Sequence, residues 1–240
     1  MKSKTVKNIV SLSGGKDSTA MLHMMMERGE NIHSVVMFDT GWEFSEMYDH
    51  LTLVEKKTGL DVVRIKPDES FNFVMFEREI KKKGGELNGI VHRYGNGWPT
   101  MFRRWCSKIK IQSCDKYIKK AGGVDCVGIA SDEDRVLVPG KRYPLVEYGV
   151  TEASALEYCF GLGYDWGGLY DWQERVSCWC CPLKGKNGFR KLRKNKPELW
   201  YNMMEMEKSM RFPAVPLLEK YSWFDLELMF IQEDKQLNLF

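Results

Sequence analysis

The sequence has no run of 18 apolar residues and therefore contains no candidate transmembrane helix. Its first ten residues, MKSKTVKNIV, are basic, but no long apolar segment of the kind found in signal peptides accompanies them. Neither sign of charge dominates, and a net charge of +3 does not by itself indicate a nucleic-acid-binding protein. We therefore expect a cytoplasmic protein with no membrane partner.

The sequence also lacks internal repeats and low-complexity tracts. Its 240 residues, 43% of them hydrophobic, suffice for one domain, or for one domain with a small appendage. The seven cysteines are an odd number, and three of them lie in SCWCCP. Without a secretory signal, this favours reduced thiols and a metal site over disulfides. The four histidines are scattered, and only His92 lies in a segment of functional interest.

Strand-like and helix-like segments alternate along the first half of the chain. We predict strands at 7–13, 31–38, 60–65 and 125–130, and helices at 17–28, 44–58 and 69–83. Residues 84–99, with five glycines, are predicted to form a mobile loop. The alternation is typical of α/β proteins with helices on both faces of a mostly parallel sheet, and right-handed crossovers make the fold doubly wound.

The segment SLSGGKDSTAMLHMMM, residues 11–26, joins the first strand to the first helix. Gly14 and Gly15 allow backbone N–H groups to approach phosphate oxygens, and the helix N-terminus adds donors and partial positive charge. Lys16 adds a full charge, while Ser13 and Ser18 add hydroxyl groups. We expect Asp17 to cap the helix or to hold Mg²⁺. Methionines 21, 24, 25 and 26 are interpreted as core residues.

This segment does not fit the Walker A pattern. SGGKDS instead resembles the PP-loop of the N-type ATP pyrophosphatases. The resemblance implies a Rossmann-like adenine-nucleotide fold and cleavage of ATP between the α and β phosphates, with adenylylation of a substrate. It also implies that residues 13–18 bind ATP and Mg²⁺, and that Lys16 and Asp17 are catalytic.

Later segments resemble the phosphoadenosine phosphosulfate (PAPS) reductase family within that superfamily. Asp39, Thr40 and Gly41 follow the second strand, where ligands bind in such sheets, and resemble the family's nucleotide-proximal DTG segment. GIASDEDR, residues 128–135, resembles the family's G-x-R-x-D/E-S-x-x-R segment. Glu133 and Arg135 match this pattern, whereas Ala130 replaces the usual first arginine. YPLVEY and LEYCFGLGYDWGGLYD extend the resemblance, which covers about residues 7–205.

Two departures separate the chain from reductases of PAPS or adenosine phosphosulfate. Those reductases usually have an altered PP-loop, and they carry a Glu-Cys-Gly-Leu-His motif, whereas no cysteine follows Cys181 here. The pattern is therefore closer to ATP-using members that sulfurate DNA or tRNA, such as DNA phosphorothioation proteins, with a cysteine desulfurase as a possible sulfur donor. A sulfonucleotide reductase and a non-catalytic nucleotide sensor within a complex remain alternatives.

The cysteines resemble those of the family's iron–sulfur members. Cys178 and Cys181 form a C-x-x-C pair, Cys106 lies far upstream, and Cys180 is a candidate fourth ligand. The resemblance implies a 4Fe-4S cluster near the nucleotide, with Zn²⁺ or catalytic thiols as alternatives. Of the others, Cys126 and Cys159 are interpreted as core residues and Cys114 as structural.

The chain changes character near residue 143, becoming aromatic and glycine-rich, then cysteine-rich, then basic. We predict a PP-loop domain at 1–142 and a helical, cysteine-rich appendage packed on it at 143–240. The basic segment 184–196 carries Lys184, Lys186, Arg190, Lys191, Arg193, Lys194 and Lys196. It is either a phosphate-binding surface for DNA or tRNA, or a solvated amphipathic helix.

Overall fold

The computed structural model describes residues 6–211 and 221–237. Its strands are β1 (Asn8–Ser11), β2 (Ile32–Phe38), β3 (Val62–Ile65), β4 (Glu79–Lys81), β5 (Val91–Tyr94), β6 (Val124–Val127) and β7 (Lys141–Arg142). Its α-helices are α1 (Lys16–Glu27), α2 (Ser45–Thr58), α3 (Phe71–Phe76), α4 (Trp105–Ala121), α5 (Pro144–Glu147), α6 (Glu152–Gly161), α7 (Leu169–Trp172), α8 (Gly185–Asn195), α9 (Pro197–Lys208) and α10 (Trp223–Leu237). Short 3₁₀ helices occupy Trp166–Gly168 and Pro182–Lys184.

The chain divides into two compact units. The first comprises the residues up to Pro67 together with Ile109–Ser177, and the second comprises Asp68–Lys108 together with the described residues from Cys178 onward. The predicted boundary near residue 143 stays a prediction, and parts of the two predicted domains, at 1–5, 212–220 and 238–240, lie outside the described residues. No described helix is long and apolar enough to cross a membrane.

The first unit is built around a five-stranded sheet in the order β3-β2-β1-β6-β7. All neighbouring strands are parallel, and Val10 of β1 lies between Val35 of β2 and Cys126 of β6. Ile9 and Val36 are buried and pack against Ile118 of α4. Central strands of parallel sheets are apolar because helices cover both faces, and α1 here packs against α5 and α6. The predicted α/β fold with a mostly parallel sheet is confirmed.

The predicted helix at 69–83 is wrong beyond its first half. Helix α3 ends at Phe76, and β4 then pairs with β5 in an antiparallel hairpin. The hairpin also occupies part of the segment that was predicted to be a loop. Gly95, at φ +74°, ends β5, and a Cβ there would lie only 2.1 Å from the Met75 carbonyl oxygen. This close approach of two backbone segments arises in the tertiary structure, so the apolar periodicity of the segment cannot predict it.

The second unit has an aromatic core formed by helices α8, α9 and α10 and the segment around Trp98. Trp98, Trp200 and Phe189 surround Trp223, with ring centroids 4.8 to 5.5 Å apart in edge-to-face arrangements. All four side chains are fully buried. Burial of this much aromatic surface makes these helices a core of their own.

Candidate functional site

The loop between β1 and α1 is a glycine turn that leads directly into the N-terminus of the helix. Gly14 adopts φ +80°, and Gly15 is the N-cap residue of α1. The Ser18 hydroxyl accepts the Ser13 N–H at 3.1 Å and donates to the Gly15 carbonyl at 3.0 Å. The Ser13 hydroxyl lies 3.0 Å from the Ser18 hydroxyl. The two predicted serines therefore hold the loop closed around the start of the helix.

Residues 166–170 form hydrogen bonds to the backbone of this loop. The Trp166 Nε1–H donates to the Gly14 carbonyl at 2.7 Å, and the Lys16 N–H donates to the Tyr170 hydroxyl at 2.8 Å. Because a trans peptide places its C=O and N–H on opposite sides, the first bond turns the Gly15 N–H away from Trp166. Trp166 itself adopts φ +51°, a conformation that costs a bulky residue about 1–2 kcal/mol. Its contacts must therefore compensate for that strain.

The stacked ring of His50 supports Trp166 from the core. The two rings lie 4.6 Å apart with an interplanar angle of 22°. His50 is 3% exposed, and its Nε2 lies 3.0 Å from the Thr19 hydroxyl on α1. Burial lowers the pKa of His50 to about 3, so its imidazole is neutral near pH 7. His50 thus serves as a neutral packing and hydrogen-bonding partner behind the loop.

The Lys16 ammonium lies among carboxylates. It is 3.0 Å from the Asp17 carboxylate and 2.7 Å from Glu152, the first residue of α6, although the Lys16 side chain is only 8% exposed. Burial raises the pKa of the Asp17 carboxyl; Lys16 counteracts this, and Glu152 and Glu133 add to the rise. One ammonium thus contacts two carboxylates, Asp17 and Glu152, and this excess of negative charge favours an added cation.

The segments after β2 and β6 leave the same edge of the sheet as the PP-loop, because both strands pair in parallel with β1. The Asp39 carboxylate accepts the Gly41 N–H at 2.9 Å and the Tyr48 hydroxyl at 2.8 Å. The Thr40 hydroxyl accepts the Trp42 N–H at 3.0 Å. These bonds shape the loop at 39–42 internally.

The segment after β6 brings Glu133 to Asp17 and pairs it with Arg135, whose Nε lies 3.4 Å from the Glu133 carboxylate. Gly128 allows this segment to approach α1, because a Cβ there would lie 2.8 Å from both the Cα and the N of Ser18. Lys16 thus contacts Asp17, and Glu133 is near enough to Asp17 to raise the pKa of its carboxyl.

The four predicted metal ligands lie in the second unit. Burial raises the pKa of the Cys106 thiol, and the nearby Cys181 raises it further. The Cys181 N–H donates to the Cys178 carbonyl at 3.0 Å, and Cys180 is buried. Within residues 6–211 and 221–237, no three His, Cys, Asp or Glu side chains are placed to hold a metal ion. As placed, the cysteines do not form a cluster site, and their role as ligands stays a prediction.

The basic helix α8 is paired with the acidic face of α10. Lys186 lies 2.8 Å from Glu233, which also pairs with Arg190. Arg193 donates to both oxygens of Glu227, at 2.7 and 3.0 Å. These carboxylates neutralise much of the charge on which the predicted phosphate surface depends.

Sequence reasoning missed Trp166, Tyr170, Glu152 and His50. The first two lie in a segment quoted for its family resemblance, GYDWGGLYDW, in which aromatic residues flank two glycines. That unusual composition was a usable signal of a shaped loop. Glu152 and His50 carry no comparable signal, because their role depends on how α6 and α2 pack in the tertiary structure.

Comparisons with known proteins identify the family of the chain. The sequence model of the phosphoadenosine phosphosulfate reductase domain matches residues 7–133. The uncharacterized protein MJ0066 of Methanocaldococcus jannaschii is 26% identical over 214 residues, 80% of this chain and 39% of that protein. The uncharacterized protein MJ0973 of the same organism is 23% identical over 257 aligned residues, 98% of this chain and 57% of that protein.

The chain thus spans between 39% and 57% of the length of these two relatives. Among solved structures, the phosphate complex of the PAPS reductase from Candida auris aligns with a TM-score of 0.48 and 16% identity. That alignment covers 72% of this chain and 81% of the reductase.

Proposed function

The chain belongs to the phosphoadenosine phosphosulfate reductase domain family, and we propose that within this family it is an ATP-dependent enzyme. It binds ATP at Ser13–Ser18, cleaves it between the α and β phosphates and adenylylates a substrate oxygen. The terminal sulfur of a persulfide on a partner such as a cysteine desulfurase then attacks the activated carbon. The C–O bond breaks, and AMP leaves with the electron pair. An external thiol afterwards reduces the S–S bond to release the partner. The acceptor is a nucleic acid or a small molecule.

The observation that carries this proposal is the fixed orientation of the Gly14–Gly15 peptide beside the Lys16 ammonium. A preorganised N–H and a nearby cation stabilise charge that develops on phosphate oxygens without further rearrangement. The intact SGGKDS loop matches the ATP-type sequence, which is why ATP is favoured over PAPS as the nucleotide. The loops that contain Asp39–Gly41 and Glu133–Arg135 flank the same sheet edge and are proposed to contact the nucleotide.

The donor set at this edge fits Mg²⁺, because carboxylate oxygens are its preferred protein ligands. Asp17 would hold the ion together with phosphate oxygens of ATP, since Mg²⁺ is usually bound through one or two carboxylates plus substrate phosphates. When bound, Mg²⁺ neutralises charge on the pyrophosphate that leaves. Glu152 also holds the Lys16 ammonium in place, at 2.7 Å. The described cysteines do not form a complete ligand set for an iron–sulfur cluster or for zinc.

Release of AMP and pyrophosphate tests the proposal. The protein is incubated with ATP, Mg²⁺, sulfide as the sulfur nucleophile, and a pool of small cellular RNAs and metabolites, and both products are quantified. We expect equimolar AMP and pyrophosphate from the parent and near-complete loss in Lys16→Ala. Lys56→Ala, an exposed lysine on α2, is the matched control and should behave as the parent.

Two results would contradict the proposal. Tight ATP binding without any pyrophosphate would indicate a nucleotide sensor. Binding of PAPS in preference to ATP, with release of adenosine 3′,5′-bisphosphate in the presence of a thiol reductant, would indicate a sulfonucleotide reductase.

A further inference from the structure

A tight turn at residues 100–103 in the second unit is held firmly at its base. Thr100 is 1% exposed; its hydroxyl accepts the Arg103 N–H at 3.0 Å, and its own N–H donates to the Arg103 carbonyl at 3.4 Å. Trp98, just before the turn, is buried against Trp223. Just after it, the Trp105 Nε1–H donates to the Gly97 carbonyl at 3.2 Å. The turn is therefore anchored on both sides.

The tip of this turn carries two large apolar side chains that face solvent. Phe102 is 83% exposed and Met101 is 48% exposed. Single exposed apolar residues are ordinary on protein surfaces and need no explanation. This pair differs because the hydrogen bonds of the buried Thr100 fix the backbone of the turn that carries both side chains. Binding a ligand to the exposed aromatic ring would therefore cost little backbone conformational entropy.

The residues that follow the tip are basic and exposed. Arg103 and Arg104 are both exposed, and the exposed Lys108 begins the next turn of α4, where its N–H bonds to the Arg104 carbonyl at 3.2 Å. The sequence contains no acidic residue between Glu86 and Asp115. Among the described residues no carboxylate pairs with Arg103 or Arg104, whereas Arg190 and Arg193 of α8 pair with carboxylates of α10.

We propose that residues 101–104 bind single-stranded nucleic acid. Phe102 stacks on an unpaired base, and Arg103 and Arg104 contact the flanking phosphates. An aromatic ring can stack on a base only where the base is not already stacked in a duplex, and adjacent cations match the charge of the backbone. A membrane surface would call for a broader apolar face than one turn provides. This inference rests on the proposed function, for which it names the acceptor class.

Fluorescence anisotropy with a labelled single-stranded RNA of about 12 nucleotides tests the surface, since single-strand sites span roughly 4–16 nucleotides. The measurement is made at low salt and without ATP. Phe102→Ala should weaken binding roughly 5- to 150-fold, the range of base–aromatic stacking, while Phe102→Trp should retain it. Tyr201→Ala, which removes an aromatic residue that is 60% exposed on α9, is the matched control and should bind as the parent.

A salt titration tests the arginines separately. Replacing both Arg103 and Arg104 by alanine should reduce the slope of log affinity against log salt by about 0.7 for each lost phosphate contact. Arg64→Ala, an arginine on β3 with a 40% exposed side chain, serves as the control and should leave the slope unchanged.

Several results would overturn the inference. These are no RNA binding at low salt, equal affinity for the same sequence as a duplex, or unchanged affinity in Phe102→Ala. Phe102-dependent binding to vesicles of phosphatidylserine and phosphatidylcholine, without RNA binding, would assign the turn to a membrane. The binding assay contains no ATP, so its result does not depend on the proposed reaction. If RNA binding depends on Phe102 but ATP cleavage is not observed, the proposed reaction is wrong and the proposed RNA-binding surface is still supported.

Discussion

Replacing Trp166 by phenylalanine tests how the PP-loop is held. The change keeps an aromatic ring beside His50 but removes the Nε1–H that donates to the Gly14 carbonyl at 2.7 Å. A buried carbonyl left without its donor costs about 1–3 kcal/mol. We therefore expect the free energy of unfolding to fall by about that amount, with a further contribution from the smaller ring.

Nucleotide affinity should fall as well, because the Gly14–Gly15 peptide is no longer held with its N–H facing the phosphate site. Loss of one oriented donor to a charged group corresponds to about 1.5–3 kcal/mol, or roughly 10- to 150-fold in the dissociation constant. Trp172→Phe makes the same chemical change on the neighbouring α7, where the indole packs edge-to-face on Phe44. This control should lose some stability but bind ATP as the parent does.

Urea unfolding and calorimetric titration with ATP and Mg²⁺ give the two quantities. The reasoning would be refuted if Trp166→Phe lost stability but kept the parent's ATP affinity. It would also be refuted if Trp172→Phe weakened ATP binding to the same extent.

Three further predictions follow from the contacts around the site and in the second unit. Gly128→Ala should destabilise the protein by about 1–3 kcal/mol in urea unfolding, since its Cβ would meet the Ser18 backbone at 2.8 Å; Gly161→Ala, with nothing within 4 Å, should not destabilise it. Between pH 6.5 and 5, His50 becomes protonated in the unfolded chain but not in the native chain, where its pKa is about 3. The free energy of unfolding should therefore fall by about 2 kcal/mol as the pH is lowered over this range. The His50→Gln variant should lack this pH-dependent change. The hydrogen bonds from Arg193 lower the pKa of Glu227 from 4.5, so the stability that this pair contributes is complete above that pH and lost as the pH falls through the native pKa. Glu227→Gln should accordingly cost about 1 kcal/mol in urea unfolding at pH 7, a cost that should vanish in acid.

The sequence sufficed where local chemistry decides structure. The apolar strand, the paired glycines and the amphipathic helix at residues 7–28 predict both the β1–α1 unit and the glycine turn within it, because each feature depends on near neighbours in the chain. The sequence predicted the fold class, a mostly parallel α/β sheet, but not the order of its strands. The order β3-β2-β1-β6-β7 depends on crossovers that no single segment specifies.

Features that depend on distant parts of the chain could not be predicted. The hairpin of β4 and β5 replaced a predicted helix because Gly95 meets the backbone near Met75. The basic run of α8 suggested either a phosphate surface or a solvated helix, and its sequence does not reveal that Glu227 and Glu233 on α10 lie opposite it; binding of nucleic acid there stays a prediction. The contact of Glu152 with Lys16 likewise joins residues far apart in sequence.

The nucleotide preference of the PP-loop tests the central claim most directly. Calorimetric titration of the parent and of Lys16→Ala with ATP–Mg²⁺ and with PAPS measures that preference. The account predicts that the parent binds ATP–Mg²⁺ more tightly than PAPS, and that Lys16→Ala loses about 1.5–3 kcal/mol of ATP binding. Equal or tighter binding of PAPS, or an ATP affinity that does not depend on Lys16, would contradict it.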